Sequence, residues 1–409
     1  MSTEEKVKYP SVKNLKDTLS MQMGVETGYN PIAEDRSRLL QYLPTSQEEL
    51  PKRSMGDSFV AGLIPLSTDK RLQDKYVTFL GRVRVGRLLE DMDMFAVMVA
   101  FKHIVNPKQP ENEPFAYTIV TALLDRIDFT EFVPKPKEDI KISGHVSWVG
   151  KSSLEVVVWL EQEMDGTWHR ITRALFVLAA RNSTNSAAAI VNAIEPANER
   201  ETKILSGGES RKQQRINIVR KHVSKVMPDQ AEQKLIYDLY LRTTKVKSIS
   251  SIRNRRLPPR CVWMHESSLS NIVFSHPEDR NIHNTVFGGF IMRQAEELSW
   301  ALGFMYSKYR PVLRSISDIN FQQPIAVGSL IQLHAYVVFT QMNFMQLMIF
   351  AETFDPTTGN SDQTNTFHFT YEVPELVNEC VPLTYHQAMM YLDGRRHFQE
   401  VMREATMKK

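Results

Sequence analysis

The chain has 409 residues, which is too long for one ordinary hydrophobic core and predicts two to three domains. Hydrophobic residues make up 42% and charged residues 24%, as in ordinary globular proteins, and a net charge of +3 indicates no nucleic-acid or membrane partner. Two cysteines, Cys261 and Cys380, cannot form a disulfide framework, and the Cys/His spacing is not that of a metal site.

The first predicted region, residues 1–55, is polar and indicates an N-terminal extension with short helices. It contains Glu4 and Glu5, whereas a transit peptide is poor in acids, so no presequence is visible. The longest strongly apolar run, Phe95 to Phe101, is far shorter than the roughly 20 residues of a membrane span. We therefore expect no membrane-spanning helix.

The next segment, Val83 to Phe101, is similar to Val286 to Phe304 later in the chain. An offset of 203 aligns Gly86 with Gly289 and Asp93 with Glu296. Both segments have the apolar periodicity of a helix. The chain therefore contains an internal repeat that begins with a helix.

Long alternating stretches follow each helix and predict strands. Their aromatic positions match at offsets of 191 to 192: Phe129 with Phe321, Trp148 with Phe339, and Phe176 with Phe367. The change of offset indicates an insertion in the first copy, at 106–113. Each copy should be an α+β unit, a long antiparallel sheet wrapped around a helix. The predicted organisation is an extension (1–55), a first domain (56–194), a charged helical linker (195–258), a second domain (259–376) and a helical tail (377–409).

The stretches VRVGRLLEDMD, SGHVSWVGKSSLEV, HPEDRNIHNTVFGGF and INFQQPIAVGSL resemble the hotdog-fold acyl-CoA thioesterases. More narrowly, the chain resembles the double-hotdog subgroup of animal mitochondrial acyl-coenzyme A thioesterase 9. The resemblance implies two tandem hotdog domains forming a pseudo-dimer. It also implies hydrolysis of fatty acyl-CoA to free fatty acid and coenzyme A, with no metal or organic cofactor. We expect a homo-oligomer in the mitochondrion, with the cytoplasm as the alternative because no presequence is visible.

Thioester hydrolysis needs an activated water or nucleophile and donors for the developing oxyanion. A helix N-terminus has N–H groups without internal partners, and glycine permits close approach to them, so Gly288 and Gly289 are the predicted oxyanion hole. Seven residues separate each glycine from the helix acid, roughly 10 Å along the axis, too far for both to reach one carbonyl. We therefore predict a first site that joins Gly289 to Asp93 of the other copy, with Asn284 or Thr285 orienting water.

A second, pseudo-equivalent site would join Gly86 to Glu296 or Glu297, and the sequence leaves open which acid faces the cleft. Arginines crowd its entry and Val85 replaces the first glycine, so we expect this site to be weak or inactive. The alternatives without a catalytic role are that Gly288 and Gly289 form only a tight turn and that Asp93 is a surface acid among solvated neighbours.

Basic residues should hold the phosphates of coenzyme A, and Lys151 and Arg310 are candidates by position. A rival hypothesis is a hotdog enoyl-CoA hydratase, since Asp279, Asn281 and His283 approximate an Asp-x-Asn-x-x-His motif with the histidine one residue early. A third is a non-catalytic acyl-CoA binding protein.

Overall fold

The computed structural model describes residues 9–24, 35–221, 226–244, 255–279, 285–317, 319–321 and 323–407. The chain forms two compact units. The first consists of Met1–Glu209, Phe274–Gln294 and Asn320–Ser329, and the second of Ser210–Val273, Ala295–Ile319 and Leu330–Lys409. Among the described residues, no helix combines the length and hydropathy needed to cross a bilayer.

In the described part of the first unit there are three complete α-helices and six strands. These are α1 (Val12–Met23), β1 (Val60–Ile64), α2 (Lys70–Tyr76), α3 (Val85–His103), β2 (Tyr117–Leu124), β3 (Ile127–Phe129), β4 (Ile140–Val149), β5 (Ser153–Met164) and β6 (Thr167–Asn182). Helix α4 (Glu199–Lys221) begins in this unit. Its sheet has the order β1-β4-β5-β6, and the far side of β6 pairs with β2 and β3.

The second unit repeats this plan. Its elements are α5 (Gln230–Thr243), β7 (Cys261–Trp263), β8 (Ser268–Phe274), α6 (Gly288–Ser307), β9 (Val312–Ser317), β10 (Ile319–Asn320), β11 (Leu330–Gln341), β12 (Phe344–Phe354), β13 (Ser361–Glu372), β14 (Glu379–Val381) and α7 (Tyr385–Met407). Helix α6 starts in residues of the first unit, and β8 and β10 each extend by one residue into that unit. The sheet order is β8-β11-β12-β13-β9.

A long helix packs on each sheet, as the α+β prediction requires. Helix α3 lies against β2, β4, β5 and β6, and Met92, Phe95 and Val99 on it are fully buried. In the second unit the hydroxyls of Ser299 on α6 and Tyr371 on β13 share a hydrogen bond of 2.7 Å. Both helices start within two residues of the predicted positions. The tandem hotdog architecture is therefore confirmed.

The internal repeat is also visible in the register shifts between neighbouring strands. A β-bulge adds a residue to one strand of a pair and bends it locally. Two register shifts recur at an offset of 191, the same offset that aligns the aromatic positions. They lie at Val146/Trp148 in β4 and Val337/Phe339 in β11, and at Leu160/Glu161 in β5 and Ala351/Glu352 in β12.

The helix that follows each sheet also belongs to the repeat. Each of these two helices carries a glycine as its tenth residue, Gly208 in α4 and Gly394 in α7. A Cβ on Gly208 would lie 2.1 Å from the indole of Trp148, and one on Gly394 would lie 2.4 Å from Val338 and 3.5 Å from Phe339. Trp148 and Phe339 are repeat partners. The repeat thus extends into the helices that the sequence analysis placed outside it.

The described part of the N-terminal extension is anchored on α3. Lys16 on α1 forms an ion pair of 2.6 Å with Asp91, and the Tyr76 hydroxyl donates to the second Asp91 oxygen. Asp91 is buried. The interpretation of this acid as solvated company for Asp93 is therefore wrong.

Candidate active site

The site is built where the N-terminus of α6 meets the middle of α3, entirely within the first unit. The Gly289 N–H donates a hydrogen bond of 2.7 Å to Oδ2 of Asp93. The first N–H groups of a helix have no acceptor within the helix, and the helix dipole favours a negative group there. The carboxylate of one copy therefore satisfies a helix-terminal amide of the other.

Close packing explains both glycines. A Cβ on Gly289 would lie 2.8 Å from Cα of Glu90 on α3, and one on Gly288 would lie 2.6 Å from the ring of Phe321. Neither glycine is among the residues with positive φ. Glycine is needed here because helix and ring approach the backbone closely, not because the chain makes a left-handed turn.

Asp93 is held from both sides and excluded from water. Its side chain is 1% exposed, and its second oxygen, Oδ1, accepts a hydrogen bond of 2.7 Å from the Thr121 hydroxyl on β2. Burial raises the pKa of the Asp93 carboxyl, the donors Thr121 and Gly289 oppose this rise, and the negative charge of Glu90 adds to it. A carboxyl with a raised pKa binds a proton more readily, as a general base requires.

Ion pairs lie around the hydrogen bond between Gly289 and Asp93, but Asp93 is not a member of them. Glu90, one turn before Asp93, pairs with Arg87 on its own helix and with Arg293 on α6, the latter at 3.0 Å. The Arg293 pair ties the first turns of α6 to α3. The surface-acid interpretation of this stretch is wrong for Glu90 as well, since it is partly buried and paired.

The structure describes only part of the remaining first-site prediction. Thr285 is half-buried, and its backbone forms an isolated bridge with Ala326. Asn284 lies outside the described residues, as do Asn281 and His283 of the hydratase motif, and Asp279 lies in a 3-10 helix (Pro277–Asp279). The water-orienting role of Asn284 or Thr285 stays a prediction.

In the second copy, the two acids of α6 differ in burial. Glu296, the repeat partner of Asp93, is buried, whereas Glu297 is half-buried. Burial raises the pKa of Tyr371, and the negative charge of Glu296 raises it further. Glu296 is thus the acid that faces the interior of its unit.

The candidate CoA-binding residues are both exposed. Lys151 lies in the turn between β4 and β5, and Arg310 lies between α6 and β9. The ammonium group of Lys151 and the guanidinium group of Arg310 are therefore accessible to a phosphate. Their role stays a prediction.

Sequence reasoning missed Thr121. A threonine in an alternating strand is ordinary, because β-branched residues are common in strands. One sequence feature could have pointed to Thr121. Strand β2 directly follows the helix that carries Asp93, so the buried face of β2 must pack against that helix. Only the three-dimensional structure shows that the Thr121 hydroxyl reaches the carboxylate.

A family model described as "Thioesterase superfamily" matches residues 283–358, a range that begins shortly before α6 and ends in the turn after β12. The repeated helix-and-sheet units and this match define the class of protein: a tandem hotdog protein of the thioesterase type.

Related chains narrow the class. Acyl-coenzyme A thioesterase 9, mitochondrial, of Mus musculus is 39% identical over 97% of this chain and 91% of its own length. Acyl-coenzyme A thioesterase 10, mitochondrial, of Mus musculus is 40% identical over 92% of this chain and 85% of its own length. The thioesterase 9 of Homo sapiens is 38% identical over 97% of this chain and 90% of its own length. The chain belongs to the family of mitochondrial acyl-coenzyme A thioesterases 9 and 10.

Proposed function

We propose that this acyl-CoA thioesterase hydrolyses fatty acyl-CoA to free fatty acid and coenzyme A at the contact between Asp93 and Gly289. The observation that carries the proposal is the hydrogen bond from the Gly289 N–H to the buried Asp93 carboxylate. It brings a potential base within reach of a helix-terminal donor, the two components that thioester hydrolysis needs. The mitochondrial relatives agree with the mitochondrial location expected from the resemblance.

Substrate binding must open this hydrogen bond. One N–H forms one strong hydrogen bond, so the Gly289 amide holds either Asp93 or the thioester carbonyl oxygen. We propose that the carbonyl oxygen replaces Asp93 at the amide while Thr121 keeps its hold on the carboxylate. Loss of the Gly289 hydrogen bond removes an interaction that favours the ionised carboxyl, so Asp93 becomes a stronger base as the substrate arrives.

The reaction then balances with the residues present. Asp93 accepts a proton from water, and the hydroxide oxygen bonds to the carbonyl carbon. The Gly289 N–H and the dipole of α6 stabilise the oxyanion. The carbon–sulfur bond breaks, and the coenzyme A sulfur takes the proton from Asp93. The products are a carboxylic acid and a thiol, and no cofactor is consumed.

Direct attack by Asp93 on the carbonyl carbon is the alternative mechanism. It would form a mixed anhydride that water then cleaves. A single turnover in ¹⁸O-labelled water followed by mass spectrometry of the protein separates the two, because only the anhydride route can leave label in Asp93.

The test compares two acids on one helix. Asp93→Asn should retain the fold, since an amide can accept from Gly289 and donate to the Thr121 oxygen, yet turnover should fall by about 10²–10⁴-fold. Thiol release from a series of acyl-CoA esters is the measurement. The matched control, Asp91→Asn, should lower the melting temperature while leaving turnover near normal, because Asp91 pairs with Lys16 and Tyr76.

Near-normal turnover in Asp93→Asn would overturn the proposed site. Consumption of an enoyl double bond without thiol release would instead indicate the hydratase. Binding with neither reaction would indicate a non-catalytic acyl-CoA protein. Light scattering of the same samples tests the expected homo-oligomer.

A further inference from the structure

The second unit contains a compact cluster of two histidines and an aspartate. His368 is on β13, and Asp393 and His397 lie one turn apart on α7. Nε2 of His368 and Nδ1 of His397 are 3.5 and 3.8 Å from the same oxygen, Oδ2 of Asp393. His368 and Asp393 are 3% and 5% exposed, and His397 is half-buried.

We propose that His368, Asp393 and His397 form a binding site for a divalent transition-metal ion of the zinc type. One potential ligand atom from each residue lies within 4.8 Å of the others. Two imidazole nitrogens and one carboxylate oxygen are a donor set suited to zinc. Three protein ligands leave a fourth position for water or another small ligand.

The two distances from Oδ2 of Asp393 to the histidine nitrogens are close to those that ligation requires. Ligands at zinc bond lengths of about 2.0–2.1 Å in a tetrahedron are about 3.4 Å apart. The imidazole rings of His368 and His397 are stacked, with centroids 3.7 Å apart and planes 9° from parallel. An imidazole binds metal in its ring plane, so one ring must turn on binding. We expect His397 to turn, because it is the less buried of the two. This turn would break the contact of 2.9 Å between Nδ1 of His397 and the backbone oxygen of Asp393.

The repeat shows that the fold does not require this cluster. Gly208 in α4 matches Gly394 in α7, so these two helices align at an offset of 186 residues, whereas the strands of the two copies align at 191. The positions that match His368, Asp393 and His397 in the first copy are therefore Val177, Gly207 and Arg211. The first copy builds the same helix-and-sheet plan with none of the three donors. A structural requirement common to both copies therefore cannot explain the His–Asp–His set.

The location gives metal binding a physical consequence. Tyr371 of β13 contacts α6, whereas His368, three positions earlier, lies against Asp393 of α7. A bound ion would join β13 to α7, a helix that is also seated by Gly394 and tied to α5 by the Arg396–Glu232 ion pair. A ligand that binds only the folded state stabilises it, so the ion should raise the melting temperature.

The test is metal titration of the full chain without substrate, so its outcome is independent of the proposed hydrolysis. Calorimetry with zinc chloride should show one tight site per chain, and cobalt(II) should give the visible absorption of a low-coordinate nitrogen–oxygen site. His397→Gln should weaken zinc binding at least about tenfold, since even loss of a residue that only supports a ligand costs 10–100-fold. Binding should also weaken at acid pH, where protons compete for the imidazoles.

His386→Gln is the matched control, because His386 is an exposed histidine on the same helix. It should bind zinc as the natural chain does. The metal-free melting temperature of each variant reports whether it is folded, and Asp393→Asn provides a second ligand variant if His397→Gln is not. Absence of a saturable site in the natural chain, equal affinity in His397→Gln, or equal loss in His386→Gln would each overturn the proposal.

Discussion

At the scale of single residues, the surroundings of Asp93 determine when its carboxyl is ionised. Burial raises its pKa, whereas the hydrogen bonds from Thr121 and Gly289 lower it. A base works only when deprotonated, so turnover should rise with pH through this raised pKa. The acid limb of the pH profile should therefore lie above the range of an ordinary aspartate.

Thr121→Ala tests this account. The variant loses a hydrogen bond that favours the ionised carboxyl, so the pKa of Asp93 should rise and the acid limb should move to higher pH. Turnover should thus fall more at acid than at alkaline pH, as measured by thiol release across the pH range. Thr121→Ser keeps a hydroxyl at this position and should retain the pH profile of the natural protein. A uniform loss at every pH would contradict the role assigned to this hydroxyl.

Sequence reasoning anticipated the pairing of Asp93 with Gly289 because the repeat gives both copies the same glycine-to-acid spacing. Since that spacing cannot bring a glycine and its own acid to one atom, the partner had to come from the other copy. Two features were beyond reach. The Gly289 amide is occupied by Asp93 itself, and the Thr121 hydroxyl completes the contact. Both depend on how strands and helices approach in space.

At the scale of helices, glycine serves packing rather than flexibility. Four glycines in α4, α6 and α7 lie against backbone or side chains too closely for a Cβ: Gly208, Gly288, Gly289 and Gly394. At Gly303 in α6, by contrast, a Cβ would make an ordinary van der Waals contact, because the nearest atom, on Pro311, would be 3.4 Å away. The same substitution should therefore have opposite effects at these positions.

Gly303→Ala should stabilise the protein by about 0.5–1 kcal/mol, since alanine favours a helix over glycine. Gly394→Ala should destabilise it by roughly 1–3 kcal/mol, because the new methyl group meets buried Val338. Denaturant unfolding of both variants gives the comparison. Equal changes in the free energy of unfolding would show that close packing at Gly394 does not hold α7 in place.

Gly289→Ala should affect chemistry as well as stability. Its methyl group would meet the backbone of Glu90 and displace the start of α6 from α3, which lengthens the hydrogen bond to Asp93. Turnover should fall by about 10²–10³-fold, the usual effect of losing an oxyanion-hole donor. Gly303→Ala is the control on the same helix and should retain activity. Full activity in Gly289→Ala would remove this amide from the mechanism.

Element prediction succeeded where a pattern had a clear period. The apolar periodicity located α3 and α6, and alternation located the long strands. It also predicted helices in the regions of α4 and α7, but as a linker and a tail outside the repeat. The close packing of Gly208 and Gly394 against the two sheets indicates that each helix completes its copy. A glycine that packs against a single side chain, as Gly208 does on Trp148 and Gly394 on Val338, has no periodic signature, so only the structure shows the match.

At the scale of the whole molecule, the two copies carry different acids at one repeat position, Asp93 and Glu296. The first copy's acid is bound to Gly289, and we predict that it supplies most of the activity. Glu296→Gln should therefore lower total turnover by less than about twofold, whereas Asp93→Asn should remove nearly all of it. Thiol release per chain in both variants is the measurement. A larger loss in Glu296→Gln would show that the second copy carries the catalysis.

The 196 positions between Asp93 and Gly289 have an evolutionary consequence. A chain with a single copy could bring this acid to this glycine only by meeting an identical chain, and any substitution would then change both sites of the pair at once. Two copies in one chain can differ, and here they do. The first copy has Asp93 where the second has Glu296, and among the described residues the cluster of His368, Asp393 and His397 lies in the second copy.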